Sequence, residues 1–462
     1  MTPLLQKLLA GGWVVERCAP GKALYVPGEG CVLRYRVELR DTASGRTAEH
    51  LVGGRVFPGG ESDAFLRDRL EPLARRASGR EELAPFARPV AVVEPLRLAL
   101  HAYPVDGDLP TLLEATDARR MITVLGETLP DAVAGHLAIE TCQVKLVQYA
   151  RRDRCVLRYE LTGRHTGTQQ ATRRVVYGKV HRDGHGALTG PVVAALRDHV
   201  LDGRGYRFAV PRFQGSRADL HLSLLEAIPG SPQTASLIRA RVAGGHAQGP
   251  DGLTLERALD ACGRVAANLH SSGIVLGEAR TLESELATLR RDMAAFDRFC
   301  PPLGTMLREH LDRAEEAAAE AEALLLCFGH GDYTPSQVMF GGPVTGLIDF
   351  DTVCQAEPAL DLGQFVAYLR VLVSKAQRVQ ASQAPDELGE ELAEAFLRVY
   401  AKAAGTEDFE ALRRRVRAYE TVSLVRMAVR SWRQLKVARL ENVLGVVEQR
   451  RPAGPRVPLS EA

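Results

Sequence analysis

The pentapeptide Cys31-Val32-Leu33-Arg34-Tyr35 recurs unchanged as Cys155-Val156-Leu157-Arg158-Tyr159. This internal repeat limits the fold more than any other feature, because a chain that carries one unit twice builds two copies of one architecture. The offset is 124 residues, and 11 of the 32 positions from Tyr25 to Val56 are identical across it. Each copy reads as strands and a helix. Val32–Leu39 mixes alternation with β-branched and aromatic residues, as a half-buried strand does. A polar turn over 41–46 leads to a second strand, 49–57. The second copy repeats this with 155–161, a turn over 163–169, and 172–181. Stretches 65–77 and 190–201 have helical spacing, and 91–103 and 220–228 read as closing strands. One inserted residue aligns Leu98–Pro104 with Ser223–Pro229, which sets His101 opposite Glu226.

The chain changes character after Leu253. Segments 255–270, 283–296, 302–326, 360–373, 385–403 and 408–447 read as helices, with short strand-like runs over 328–351. The segment 230–251, rich in Gly, Ala and Pro, reads as a linker. The expected organisation is α+β: a first copy over 1–125, a second over 126–232, a helical region over 233–450 and a loose tail over 451–462.

Composition narrows the function. With 59 basic and 57 acidic residues the net charge is +2, which argues against a wholly basic nucleic-acid binder. No apolar run reaches the 18 or more residues of a membrane span. The N-terminal stretch lacks the pattern of a secretory signal. The eight cysteines contain no C-x-x-C pair and read as reduced core thiols. A cytoplasmic location is expected, with neither nucleic acid nor membrane as partner.

The richest chemistry lies in Gly329-His330-Gly331-Asp332-Tyr333-Thr334-Pro335-Ser336-Gln337, followed by Ile348-Asp349-Phe350-Asp351. A carboxylate sits in a tight turn, an amide follows five residues on, and a short strand delivers further carboxylates. Phosphoryl transfer needs such a set: one carboxylate to take a hydroxyl proton, and an amide oxygen with another carboxylate to hold Mg²⁺. Asp351 reads either as a further carboxylate for the phosphate side or as a loop cap.

The segment resembles the H-G-D-x-x-x-x-N loop and I-D-F motif of the aminoglycoside phosphotransferase and choline kinase-like family. That resemblance implies a protein-kinase-like two-lobed fold, here with a duplicated, degenerate N-lobe-like cap; the layout is similar to that of maltokinase-like proteins. It implies Asp332 as the catalytic aspartate and Asp349 as a metal ligand. Gln337 stands where the family has asparagine, with the same amide on a stem one methylene longer. Asp361, in Pro358-Ala359-Leu360-Asp361-Leu362, matches a structural aspartate, and Ala356-Glu357 replaces the Gly-Asp that usually precedes it. His330 and His270 fit scaffold and packing positions.

The second copy is similar to the nucleotide-binding half of the family. Lys179, in the strand Val175–His181, matches the lysine presented to the α- and β-phosphates. It stands out in a chain with 7 lysines and 52 arginines. Glu226 and Ala227 match the hinge whose backbone meets adenine. The turn 149–154 lies where a loop covers the phosphates, and Arg151, Arg152 and Arg154 read either as phosphate contacts or as a solvated basic turn. The usual glutamate partner of the lysine is missing, with Asp198 as a substitute. In the first copy Arg55 replaces the lysine, which implies a nucleotide-incompetent cap.

The resemblance implies ATP and Mg²⁺ as cofactors and a small-molecule hydroxyl acceptor: a sugar, an aminoglycoside or an amino alcohol. The alternative is a catalytically weak, pseudokinase-like nucleotide-binding or regulatory module, suggested by Gln337 and the missing glutamate. The Arg-rich stretch 413–451 reads as a packed amphipathic helix with a solvated basic face. The acidic run Asp386-Glu387 to Glu394 either attracts a cationic acceptor or is a helix start favoured by the dipole.

Overall fold

The computed structural model describes residues 1–149, 152–182, 188–203, 205–245, 248–320, 322–380 and 387–449. Arg151, Asp386 and the expected tail 451–462 lie outside the described residues. The chain divides into two compact units. One comprises 1–187, 213–227 and 433–435; the other comprises 188–212, 228–432 and the residues from 436 on.

The first unit holds two five-stranded antiparallel sheets of the same strand order. One is β1 (Trp13–Val26), β2 (Gly30–Asp41), β3 (Thr47–Val56), β5 (Leu98–Ala102) and β4 (Val90–Val93). The other is β6 (Leu137–Gln148), β7 (Arg154–His165), β8 (Ala171–His181), β10 (Leu222–Glu226) and β9 (Phe213–Arg217). Strand starts coincide at the offset of the pentapeptide: Trp13 with Leu137, Gly30 with Arg154, Thr47 with Ala171, Leu98 with Leu222.

This register corrects the expected insertion. Arg97 and His221 both adopt left-handed backbone (φ 48° each) after a short 3₁₀ turn, one residue before their closing strands. Arg55 pairs with Ala99 and Lys179 with Ser223, so the alignment has no gap. Ala102, not His101, is the counterpart of Glu226. The sequence match of Ala102 and Pro104 with Ala227 and Pro229 arises at the ends of the closing strands and just beyond them, where the two copies diverge.

Strand β7 alternates buried and half-buried residues from Cys155 to Gly163, with one face in a core of Leu157, Tyr159 and Leu161. A Cβ at Gly178 would lie 2.5 Å from the Tyr159 ring and 2.9 Å from Leu222 Cδ1. Gly178→Ala therefore forces the ring or strand to move. It is expected to cost about 1–3 kcal/mol, measured as a lower urea midpoint with an unchanged slope.

The copies share a buried polar junction. Arg34 Nη2 donates to Asp106 Oδ2 at 3.1 Å, and the Tyr149 hydroxyl donates to the same oxygen at 2.5 Å. The Arg34 guanidinium lies 4.1 Å from the centre of the Tyr149 ring. Burial opposes ionisation of Asp106, but His101, Arg34 and the Tyr149 hydroxyl hold its carboxyl below the ordinary range. Arg158, the copy of Arg34, is only half-buried and pairs with Glu160. One peptide thus serves as a core anchor in one copy and as a rim residue in the other.

The helical part of the first copy runs Glu61–Phe65, a π turn Leu66–Leu70, then Glu71–Arg76. Its counterpart α1 (Thr189–Leu201) falls in the second unit. That unit also holds α2 (Leu255–His270), β11 (Glu278–Arg280), β12 (Cys327–Gly329), β13 (Val338–Met339), β14 (Gly346–Leu347), β15 (Cys354–Ala356), α3 (Pro358–Val379), α4 (Glu387–Ala404), α5 (Phe409–Arg433) and α6 (Val437–Gln449). The helix expected over 408–447 is two helices, broken at Leu435 with φ 53°.

The expected packed helix with a solvated basic face holds for α5 in part: Arg414 and Arg417 are exposed, but other charges turn inward. Arg415 is buried and pairs with Glu357, the residue before α3, which also accepts from the Tyr419 hydroxyl at 3.1 Å. Arg426 pairs with Glu285, and buried Glu420 pairs with Arg370. These charges are internal partners. All eight cysteines are free thiols. Among the described residues no helix is long and apolar enough to cross a membrane.

Candidate active site

The His-Gly-Asp turn is held by a buried carboxylate. Asp361, in the first turn of α3, accepts the backbone N–H of His330 at 2.6 Å and of Gly331 at 2.9 Å. His270, the last residue of α2, approaches the same carboxylate through Nε2 at 3.2 Å and the Tyr400 hydroxyl through Nδ1 at 3.0 Å. Donation from Nε2–H to Asp361 and from Tyr400 to Nδ1 satisfies all three groups. Burial works against the charge on Asp361; the His270 hydrogen bond and the His330 N–H outweigh it and hold the carboxyl below its ordinary range.

Gly331 must be glycine. Its φ is +72°, and a Cβ would lie 1.9 Å from the Thr352 carbonyl oxygen. Arg280 Nη1 donates to the Gly331 carbonyl at 3.3 Å, while Glu285 holds the other end of that guanidinium at 2.8 and 2.9 Å. His330 Nε2 meets the Ile348 carbonyl at 3.0 Å, tying the loop to the residue before Asp349.

Three of the expected site residues converge. Gln337 Nε2 lies 3.5 Å from Asp332 Oδ2 and 3.4 Å from Asp349 Oδ2. The extra methylene of Gln337 thus still delivers its amide to both aspartates. The delivery is local: Gln337 N–H donates to the Thr334 carbonyl at 3.0 Å, and Ile348 N–H to the Gln337 carbonyl at 3.1 Å. The β13–β14 pair, Val338 with Leu347, then brings Asp349 back alongside. Asp349 has φ 70°, a left-handed conformation that aspartate tolerates better than most residues.

Oxygen donors from one amide and two carboxylates suit a small hard cation. A half-turn of the Gln337 amide exchanges its N and O in place. Turned over, Gln337 offers its Oε1 from the point where the amide now bridges the carboxylates. The residues present therefore fit a small hard cation such as Mg²⁺, which Gln337 and Asp349 would hold.

One partner of Asp332 is not legible in the sequence. Gln364, buried in α3, donates from Nε2 to Asp332 Oδ1 at 2.8 Å, while its own Oε1 has no hydrogen-bond partner among the described residues. Its only sequence signal is its place three residues after Asp361, one turn along the same helix. Arg280 carries no sequence signal at all, and His270 reads as packing alone.

The nucleotide-side candidates lie in the first unit. Lys179 is buried on β8, flanked in the sheet by Val156 and Ser223. Glu226 ends β10 opposite Val176. The β9 ladder stops at Leu225 with Phe213, and the first unit's segment ends at Ala227. Asp198 is on α1, in the second unit. Arg152 pairs with Glu29 and donates to Asp108 Oδ1 at 3.1 Å. Asp108 also takes Arg55 at 3.0 Å, so the first copy's replacement for the lysine is occupied by a carboxylate.

The helical unit thus carries a His-Gly-Asp turn, a nearby amide and a second aspartate at one point. Residues 190–419 match the model of the phosphotransferase enzyme family, APH. No curated protein matches the sequence. Among solved structures, a glucosamine kinase is similar over 96% of this chain and 95% of its own, at 14% identity and TM-score 0.45. An aminoglycoside phosphotransferase solved with GDP and kanamycin is similar over 71% and 97%, at 16% and 0.42. A choline kinase from Cryptosporidium parvum is similar over 72% and 94%, at 11% and 0.44.

Proposed function

We propose that the protein is an ATP-dependent phosphotransferase that moves the γ-phosphate to a hydroxyl of a small molecule. The convergence of Asp332, Gln337 and Asp349 on one point carries this reading. Asp332 is fixed by Gln364 through Oδ1, and Oδ2, beside the Gln337 amide at 3.5 Å, is the oxygen that faces an acceptor hydroxyl. It orients that hydroxyl and takes its proton as the oxygen bonds to the γ-phosphorus. The bond from phosphorus to the bridging oxygen breaks, and ADP leaves with the electron pair. Mg²⁺ held by Gln337 and Asp349 would neutralise charge on the phosphates. Lys179 steadies the α- and β-phosphates, and the backbone at Glu226 and Ala227 receives the adenine. Positioning and electrostatics supply most of the acceleration.

The test is ADP release with an acceptor panel at graded Mg²⁺. Gln337→Ala is expected to shift the Mg²⁺ needed for half-maximal rate upward, and Gln337→Asn to shift it less. An unchanged Mg²⁺ profile in Gln337→Ala would remove that residue from the metal set.

A further inference from the structure

A cavity of about 940 Å³ opens beside the catalytic loop, with Pro335 and Ser336 in its wall. It is large enough for a small ligand. Its other wall is a stripe of α3: Tyr368, Val371, Lys375 and Arg378 follow one another at three- and four-residue spacing. Gln364 lies four residues before Tyr368 on that same stripe and bonds Asp332. The stripe therefore leads from the proposed base into the cavity.

The electrostatics of the cavity are one-sided. Lys375, Arg378, Lys436 and Arg439 line it, against Glu441 as the one acidic side chain among the described lining residues. Two of the chain's 7 lysines are here. Lys436 and Arg439 sit at the start of α6, whose first turn holds no acid. That end of a helix favours anions. Exposed Val379 and Val437 add apolar wall.

We propose that this cavity is the acceptor site and that the acceptor is an anionic amphiphile: a small alcohol with an apolar body and a carboxylate, sulfonate or phosphate. The hydroxyl meets Asp332, the body lies along Tyr368 and Val371, and the acid group reaches the basic end. A polycationic aminoglycoside is repelled by the same charges. The inference rests on the reading of Asp332 as base.

Two measurements test the two readings separately. The first is equilibrium binding of 8-anilinonaphthalene-1-sulfonate to the full chain, comparing wild type with Lys375→Glu/Arg439→Glu and with Asp332→Asn. The charge reversal is expected to weaken binding by roughly tenfold or more, while Asp332→Asn leaves it unchanged. Circular dichroism checks that the reversed variant is folded, and Lys375→Gln/Arg439→Gln gives an intermediate affinity. The second is turnover of hydroxy acids against their matched amides and amines. Preference for the acids supports the proposal. Binding that ignores the reversal, or preference for amines, overturns it. Charge-dependent binding with no transfer to any acceptor leaves the anion pocket standing and removes the catalytic reading of Asp332.

Discussion

Asp361→Ala is expected to destabilise the protein by about 3–5 kcal/mol, the cost of stripping a buried, multiply bonded carboxylate from its partners. The substitution orphans two backbone N–H groups and leaves His270 without its acceptor. Among the described residues no other carboxylate holds those N–H groups of the His-Gly-Asp turn, so transfer should fall together with stability. Urea denaturation reads the loss, and the midpoint should move while the slope does not. The acid limb gives a second readout. The carboxyl of Asp361 titrates below its unfolded value, so its stabilisation is fully present above the unfolded pKa, about 3.9, and is lost as pH falls through the lower folded value. Asp361→Asn should therefore flatten the dependence of stability on pH below about 4, while wild type falls steeply. Parallel acid limbs would show that the charge on Asp361 does not support the turn.

The second large effect is on rate. Asp332→Asn keeps the shape of the side chain and removes its basicity. Transfer is expected to fall by about 10²–10⁴-fold, the usual contribution of a positioned general base. Nucleotide affinity should hold, because the substitution keeps the side chain's shape and alters none of the residues proposed for the nucleotide. Gln364→Leu offers a graded comparison. It removes the hydrogen bond to Asp332 Oδ1 without touching the base, so kcat should drop less than in Asp332→Asn.

How much of the fold is legible in the sequence depends on the range of each interaction. The repeat is visible because buried alternation in β2 and β7 keeps the same residues at the same offset. Strands β1 and β6 are not. Strand β1 carries Pro20 and Gly21 at an irregularity in its pairing, and its residues are half-buried or exposed, so no clean period survives. Strand β6 exposes half of its residues, Ala138 and Val147 among them, so its apolar residues do not follow its buried face. The closing-strand register is masked because local similarity past the strand outweighs the left-handed turn residue before it. The helix break at Leu435 has neither glycine nor proline to announce it.

The site divides the same way. Asp332, Gln337 and Asp349 sit within one short hairpin, so their spacing carries their proximity. Gln364, His270 and Arg280 reach the loop from other elements, and nothing local marks a contact made across a fold. The Arg-rich stretch shows the reverse error: Arg415 and Arg426 look like surface charge because Glu357 and Glu285 are far away in sequence.

The most direct test of the central claim is phosphoryl transfer itself. Wild type and Asp332→Asn would be incubated with ATP, Mg²⁺ and a panel of small hydroxyl compounds of each charge class, with ADP and phosphorylated product followed together. The account predicts equal amounts of ADP and phosphorylated product from at least one acceptor with wild type, nearly abolished in Asp332→Asn. Nucleotide binding without transfer to any acceptor, or transfer that survives Asp332→Asn at full rate, would contradict it.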